Sequence, residues 1–217
     1  MKQIREDAAL IDFEAIAQAA MTREPFAFFT AAGVLGAADL AAVRADFPVI
    51  RKPGVFPLSE LRYGPAFARL VDDIRSRDFE DVMAAKYGVD LSDKPLMITV
   101  RGRAQRKDGR IHTDSKSKFL TCLLYLNEAW DDGDGRLRML RRPDDLDDVI
   151  AEVPPNGGTL ASFLRADNSW HGHAPYVGER RYVMVNWMAS RAAQERELGR
   201  HRFSAMVKRL NPLARSA

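Results

Sequence analysis

Cysteine is almost absent. Cys122 is the only one in 217 residues, so no disulfide can form within the chain, and a reducing compartment is expected. It lies inside the apolar run Phe119–Tyr125, where a buried core thiol is the simplest role. Long apolar runs are missing too. No stretch approaches the roughly 20 residues that a membrane-spanning helix needs, so no transmembrane segment is expected. The opening residues mix charges and lack an apolar core, which argues against a secretory signal there. Charge of one sign is also missing. Lys plus Arg number 33 and Asp plus Glu 30, a formal net charge of +3, and the signs are interspersed. Nucleic acid is therefore not an expected partner. There is no internal repeat and no low-complexity tract. The expectation is a soluble, cytoplasmic globular protein. With 46% hydrophobic residues, the chain can bury one sizeable core.

The apolar spacing divides the chain. Ile4–Met21, Ala37–Asp46, Leu58–Arg75 and Phe79–Tyr87 carry apolar residues at helical intervals, and Gly88 is placed to cap the last of them. Pro25–Thr30 reads as a short strand. From Lys94 the pattern changes to short strands: Leu96–Val100, Phe119–Asn127, Arg136–Leu140, Gly158–Leu164 and Arg181–Ala189. Gly133-Asp134-Gly135, the run Pro154–Gly158 and Gly178 punctuate them as turns. Asp144–Ile150 reads as a short helix. Many short strands between turns predict a sandwich or jelly roll. The expectation is a single α+β domain over 1–217. A helical support region spans 1–93, a jelly-roll core 94–190 and a basic, helix-permissive tail 191–217.

Histidine is scarce as well, and here scarcity is informative. There are four histidines, and three fall in two short segments, Arg110-Ile111-His112-Thr113-Asp114 and Trp170-His171-Gly172-His173. Two imidazoles and a carboxylate can hold one face of an iron(II) ion and leave the other open. On a strand, His112 and Asp114 would point to the same side. The same donors suit zinc or manganese, so ligand type alone does not name the metal. A His-x-Asp triplet is also common in polar loops. His171 and His173 compete for the second imidazole place. His171 is preferred by its spacing to Arg181, ten residues on. His201, in the charged tail, reads as a solvated side chain.

These segments and those between them resemble the iron(II)/2-oxoglutarate-dependent dioxygenases, in particular the prolyl-hydroxylase-like branch. The resemblance runs from about Arg103 to Trp187. It rests on His112-Thr113-Asp114, Leu120–Trp130, Gly133–Arg138, Trp170-His171 with Pro175, and Gly178–Tyr182. It implies a double-stranded β-helix, the cupin-like jelly roll, with supporting N-terminal helices. It implies His112, Asp114 and His171 as iron ligands, with Arg181 and the Tyr125 hydroxyl on the distal carboxylate of 2-oxoglutarate. A planar guanidinium suits a carboxylate. Only one of Arg180 and Arg181 can point inward from a strand, and counting from His171 and from Trp187 selects Arg181. The implied chemistry consumes O2, decarboxylates 2-oxoglutarate to succinate and hydroxylates an unactivated C–H bond. Ascorbate is the stimulant expected beside it. Some relatives carry Ser or Thr two residues after the Arg; here Val183 stands there. Asp114 argues for hydroxylation over halogenation.

Arg101, Arg103, Arg106, Lys107 and Arg110 precede the metal motif, and Lys116 and Lys118 follow it. A solvated loop accounts for such a run. As a functional feature it would draw an anionic small molecule or sugar conjugate. Arg101, Arg103, Lys116 and His173 are the candidate substrate contacts. Two other classes compete with the oxygenase reading. One is a catalytically silent jelly-roll binding or regulatory module. The other is a cupin-type metalloenzyme that does not use 2-oxoglutarate.

Overall fold

Alternation along the strands builds two layers. In the computed structural model, which describes residues 8–210 and side chains to 203, the helical part comes first. It comprises α1 (Phe13–Gln18), β1 (Met21–Thr22), β2 (Phe28–Ala31), α2 (Ala37–Ala45), β3 (Phe56–Pro57), α3 (Pro65–Ile74) and α4 (Arg77–Tyr87). The strands β4 (Leu96–Ala104), β5 (Lys118–Tyr125), β6 (Leu137–Leu140), β7 (Val149–Val153), β8 (Leu160–Leu164), β9 (His171–Gly172) and β10 (Gly178–Met188) follow. The last element is α5 (Arg191–Leu210).

Seven strands form one antiparallel sheet in the order β1-β2-β8-β5-β10-β4-β3. Three form a second, β7-β6-β9. The larger sheet buries apolar residues on both faces, as a sheet covered on both sides does. One set of alternate residues, Val100, Leu120, Cys122, Leu124, Val183, Val185 and Trp187, packs with Phe67, Leu70, Ile74, Phe79 and Met83 of α3 and α4. Trp187 stacks on Phe79 with centroids 5.7 Å apart. The other set, Leu123, Tyr125, Ala161, Phe163 and Tyr182, packs with Leu137, Met139 and Val153 of the smaller sheet. The two sheets thus face one another as a jelly roll, and the helices support the outer face.

The helices end where their local chemistry says. Ser76 Oγ accepts from Phe79 N–H at 3.2 Å and caps α4. Gly88 ends it at φ 68°, a left-handed position that favours glycine. α3 begins at Pro65, where a missing N–H costs nothing. Asp46 closes its first turn by accepting from Ala66 N–H at 2.6 Å.

Three sequence expectations change. The helix expected over Ile4–Met21 is confined to Phe13–Gln18, and Met21-Thr22 pairs instead with Phe28-Phe29; residues 4–7 lie outside the described residues. The helix expected over Asp144–Ile150 does not form. Asp145 and Asp148 are held by Arg142, Asp148 also by Arg141, and Val149 opens strand β7. Side chains that bond locally in this way compete with a helical ladder. The His112–Asp114 segment is not a strand: His112 makes an isolated bridge to His171, and Asp114 lies in coil.

Candidate metal and co-substrate site

The bridge between His112 and His171 organises the site. Each N–H donates to the other's carbonyl, both at 3.0 Å. The rings lie with centroids 4.3 Å apart. His112 Nδ1 lies 2.9 Å from the Arg110 carbonyl, and His171 Nδ1 lies 3.0 Å from the Ser169 carbonyl. A carbonyl only accepts, so each Nδ1 carries a proton, and in the neutral ring Nε2 is the nitrogen that offers a lone pair. One ligand atom each from His112, Asp114 and His171 can be chosen so that all lie within 4.8 Å of one another. That is close to the span one ion bridges with bonds of about 2.1 Å.

Protonation also suits a metal. Burial pushes the His171 imidazole down to about 4, against the opposing pull of Asp114. The ring is therefore neutral near pH 7. Burial by itself would raise the Asp114 carboxyl. The Lys118 ammonium above all, with His171 and Thr121, holds it at about 2. Lys118 Nζ donates to Asp114 Oδ1 at 2.8 Å, and Thr121 Oγ1 donates to Oδ2 at 2.6 Å. Asn186 Nδ2 donates in turn to Thr121 at 2.7 Å. Two imidazole nitrogens and a fixed carboxylate form a mixed N/O donor set, which fits iron(II).

A bulge brings Lys118 to Asp114. The β5–β10 register runs Trp187 to Leu120, then Met188 to Lys118. Phe119 is the extra residue, and Lys118 joins Thr121 on the inner face. The sequence reading placed Lys118 only at a rim and gave Thr121 and Asn186 no role. Their period-two relation to Tyr125 and Tyr182 was the available signal.

The structure places the paired arginines differently from the expectation. Arg181 lies on the helix-covered side. It pairs with Glu179 at 2.8 Å and stacks over Phe47, 5.2 Å from the ring centroid. Arg180 is the buried one, at 3% exposure. Its Nε donates to the Gly135 carbonyl at 3.0 Å and its Nη2 reaches the Tyr125 hydroxyl at 3.4 Å. It lies over the rings of Tyr125 and Tyr182, 5.4 Å from each centroid. The reason is parity. Arg181 alternates with Val183, Val185 and Trp187, which face the helices. Arg180 alternates with Tyr182, which faces the jelly-roll interior. Tyr125 is buried in the jelly-roll interior, and burial raises its hydroxyl pKa, so it remains a donor.

The other candidates divide. His173 is buried, with Nδ1 on the Ala174 carbonyl at 2.8 Å. Burial, then Arg180, pushes its ring down to about 4. Arg101 is half-buried, ion-paired with Asp108, and lies over Tyr182 at 5.8 Å. Arg103 and Lys116 are exposed. An open cleft of about 540 Å³ lies beside these groups, lined among others by Arg106, Lys107, Arg110, His173 and Pro175. Cys122 takes no part: burial pushes its thiol up to about 12.

The comparisons with known proteins bear on this geometry. The sequence model of the 2OG-Fe(II) oxygenase superfamily matches residues 102–189, about two fifths of the chain. No curated protein sequence matches. Among solved structures, the viral collagen prolyl hydroxylase of Paramecium Bursaria Chlorella virus-1, in its 2OG complex, is similar. It is 17% identical, with a TM-score of 0.52 over 75% of this chain and 95% of that one. A prolyl 4-hydroxylase of Phytophthora capsici is 15% identical, with a TM-score of 0.50 over 87% of this chain and 69% of that one. At these identities the likeness is one of fold, the double-stranded β-helix.

Proposed function

We propose that the chain is an iron(II)- and 2-oxoglutarate-dependent dioxygenase of the 2OG-Fe(II) oxygenase superfamily, whose sequence model matches residues 102–189, and that His112, Asp114 and His171 hold its iron while Arg180 and Tyr125 hold its 2-oxoglutarate. The observation that carries this is the convergence of the three donors, with both imidazole Nε2 atoms left free. Bound iron would supply oxygen activation coupled to decarboxylation of the keto acid. The chain's own residues do the rest. Thr121 and Lys118 orient Asp114. Arg180 and Tyr125 offer charged and neutral donors to the distal carboxylate. Phe163, whose ring centroid lies 4.4 Å from that of His171, helps keep the interior dry. A silent module or a cupin-type enzyme without 2-oxoglutarate is not favoured, because the three donors converge and Arg180 meets Tyr125 in the buried interior of the same jelly roll.

The substrate reading is an anionic small molecule or sugar conjugate, hydroxylated at an unactivated C–H bond. The cation-lined cleft supports it. Its walls include residues 106–111, which run directly into His112, and His173 and Pro175, which lie just beyond His171. The one acidic residue lining it, Asp108, is already paired with Arg101. Two proteins of similar fold are prolyl hydroxylases by name, so a prolyl peptide is the class to test against. Among the described residues, no helix is long and apolar enough to cross a membrane. The cytoplasm is the proposed compartment, in keeping with the single free thiol.

The test is an anaerobic titration of the protein with iron(II) and then 2-oxoglutarate, followed by visible charge-transfer absorption. A band requiring both additions, and absent from Asp114→Ala, is the expected result. Iron binding without that band would contradict the co-substrate assignment. Succinate release in the presence of phosphorylated or carboxylated sugars, compared with prolyl peptides, tests the substrate class.

A further inference from the structure

Three carboxylates are buried among the described residues: Asp73, Asp114 and Glu197. Asp73 accepts from the backbone of Leu10 and Ile11, and Asp114 belongs to the metal site. Glu197, 7% exposed, lies on α5, outside the segment that matches the oxygenase superfamily. Burying a carboxylate is costly unless its oxygens are bonded. Those bonds go to the loop that follows Asp114. Ser117 Oγ donates to Glu197 Oε1 at 2.9 Å, and Ser115 Oγ lies 3.4 Å from the same oxygen. Arg200 pairs with the other oxygen.

We propose that Glu197 is a positioning residue for the metal centre: α5 reaches back through it and fixes the turn that carries Asp114 at one end and Lys118 at the other. The proposal rests on Asp114 being an iron ligand. The turn is short and its bonds are sequential. Lys118 N–H donates to the Ser115 carbonyl at 3.0 Å, and Ala189 N–H donates to the Ser117 carbonyl at 2.9 Å. α5 itself is seated by Gln194, whose Nε2 donates to the Leu96 carbonyl at 2.7 Å. Ser115 is the residue next to Asp114, so freeing its hydroxyl frees the carboxylate's backbone. Groups that orient ligands in this way typically set metal affinity by about 10–100-fold.

The test uses the full-length protein, stripped of metal and titrated with Co(II), with the ligand-field spectrum and calorimetry as readouts. Glu197→Ala is expected to weaken Co(II) binding about tenfold and to broaden the spectrum. Glu197→Gln should recover most of the affinity, because its amide oxygen still accepts from the serines. Ser117→Ala should reproduce part of the loss and serves if Glu197→Ala does not fold. Wild-type affinity in Glu197→Ala, with α5 cut faster by trypsin, would make Glu197 a helix anchor only and overturn the proposal. Asp114→Ala run in parallel should abolish binding. If it binds Co(II) normally, the ligand assignment falls, and this role of Glu197 falls with it.

Discussion

The two faces of β10 live in different worlds on one backbone. Val183, Val185 and Trp187 look toward the helices, where the packing is largely apolar and the reward is burial. Arg180, Tyr182 and Asn186 look into the jelly roll, where Arg180 reaches the Tyr125 hydroxyl and Asn186 Nδ2 donates to Thr121, while Asn186 Oδ1 is buried without a partner. β5 repeats the division with Cys122 and Leu124 on one side and Thr121 and Tyr125 on the other. Stability and chemistry are thus separated by one residue of register. A one-residue slip would exchange them.

The sharpest way to break the comparison is at the metal ligands. His171→Ala or Asp114→Ala should reduce iron(II) affinity by more than a hundredfold, measured by titration, and leave the helix-covered face intact. Asp114→Ala should also cost stability, since it strands Lys118 without its carboxylate. The opposite face should respond in the opposite way. Trp187→Ala removes a fully buried ring stacked on Phe79 and should cost about 3–5 kcal/mol. In a chain of this size that is a fall in Tm of roughly 10 °C. The folded fraction should still bind iron one to one.

A smaller effect concerns acid. In the metal-free protein the folded His171 titrates at about 4 rather than 6.5. Between those values the unfolded chain binds the proton and the folded chain does not, so stability falls as pH drops from about 6.5 toward 4 and levels off below. A shift of this size is worth on the order of 3 kcal/mol. Asp114 acts lower down, since its depressed carboxyl loses its stabilising charge only as pH falls from about 4 toward 2. Urea unfolding across pH 4–7 should show the first slope in the wild type and a shallower one in His171→Asn.

Much of this separation was readable in the chain. The alternation of β5 and β10, the strand-rich second half and the concentration of histidines pointed to a jelly roll around His112, Asp114 and His171. The choice of Arg181 over Arg180 rested on counting from His171 and from Trp187, which measures distance along the chain and not the side of a strand; the structure turns Arg180 inward. The bulge at Phe119, which turns Lys118 inward, has no local signature. Neither does the reach of Glu197 from α5 to Ser117, because contacts 80 residues apart leave no mark in sequence periodicity. The failed helix at Asp144–Ile150 was decided by arginine–aspartate pairs made across a turn.

The adjacent arginines test the central claim most directly, since they differ only in the face they occupy. 2-Oxoglutarate binding to the iron-loaded protein should be measured anaerobically for Arg180→Ala and Arg181→Ala. A buried charged hydrogen bond is worth about 1.5–3 kcal/mol, so Arg180→Ala should weaken binding roughly 10–100-fold. Arg181→Ala, having lost only its contacts to Glu179 and Phe47, should stay within about threefold of the wild type. The reverse order would place the co-substrate against the other arginine and contradict the account.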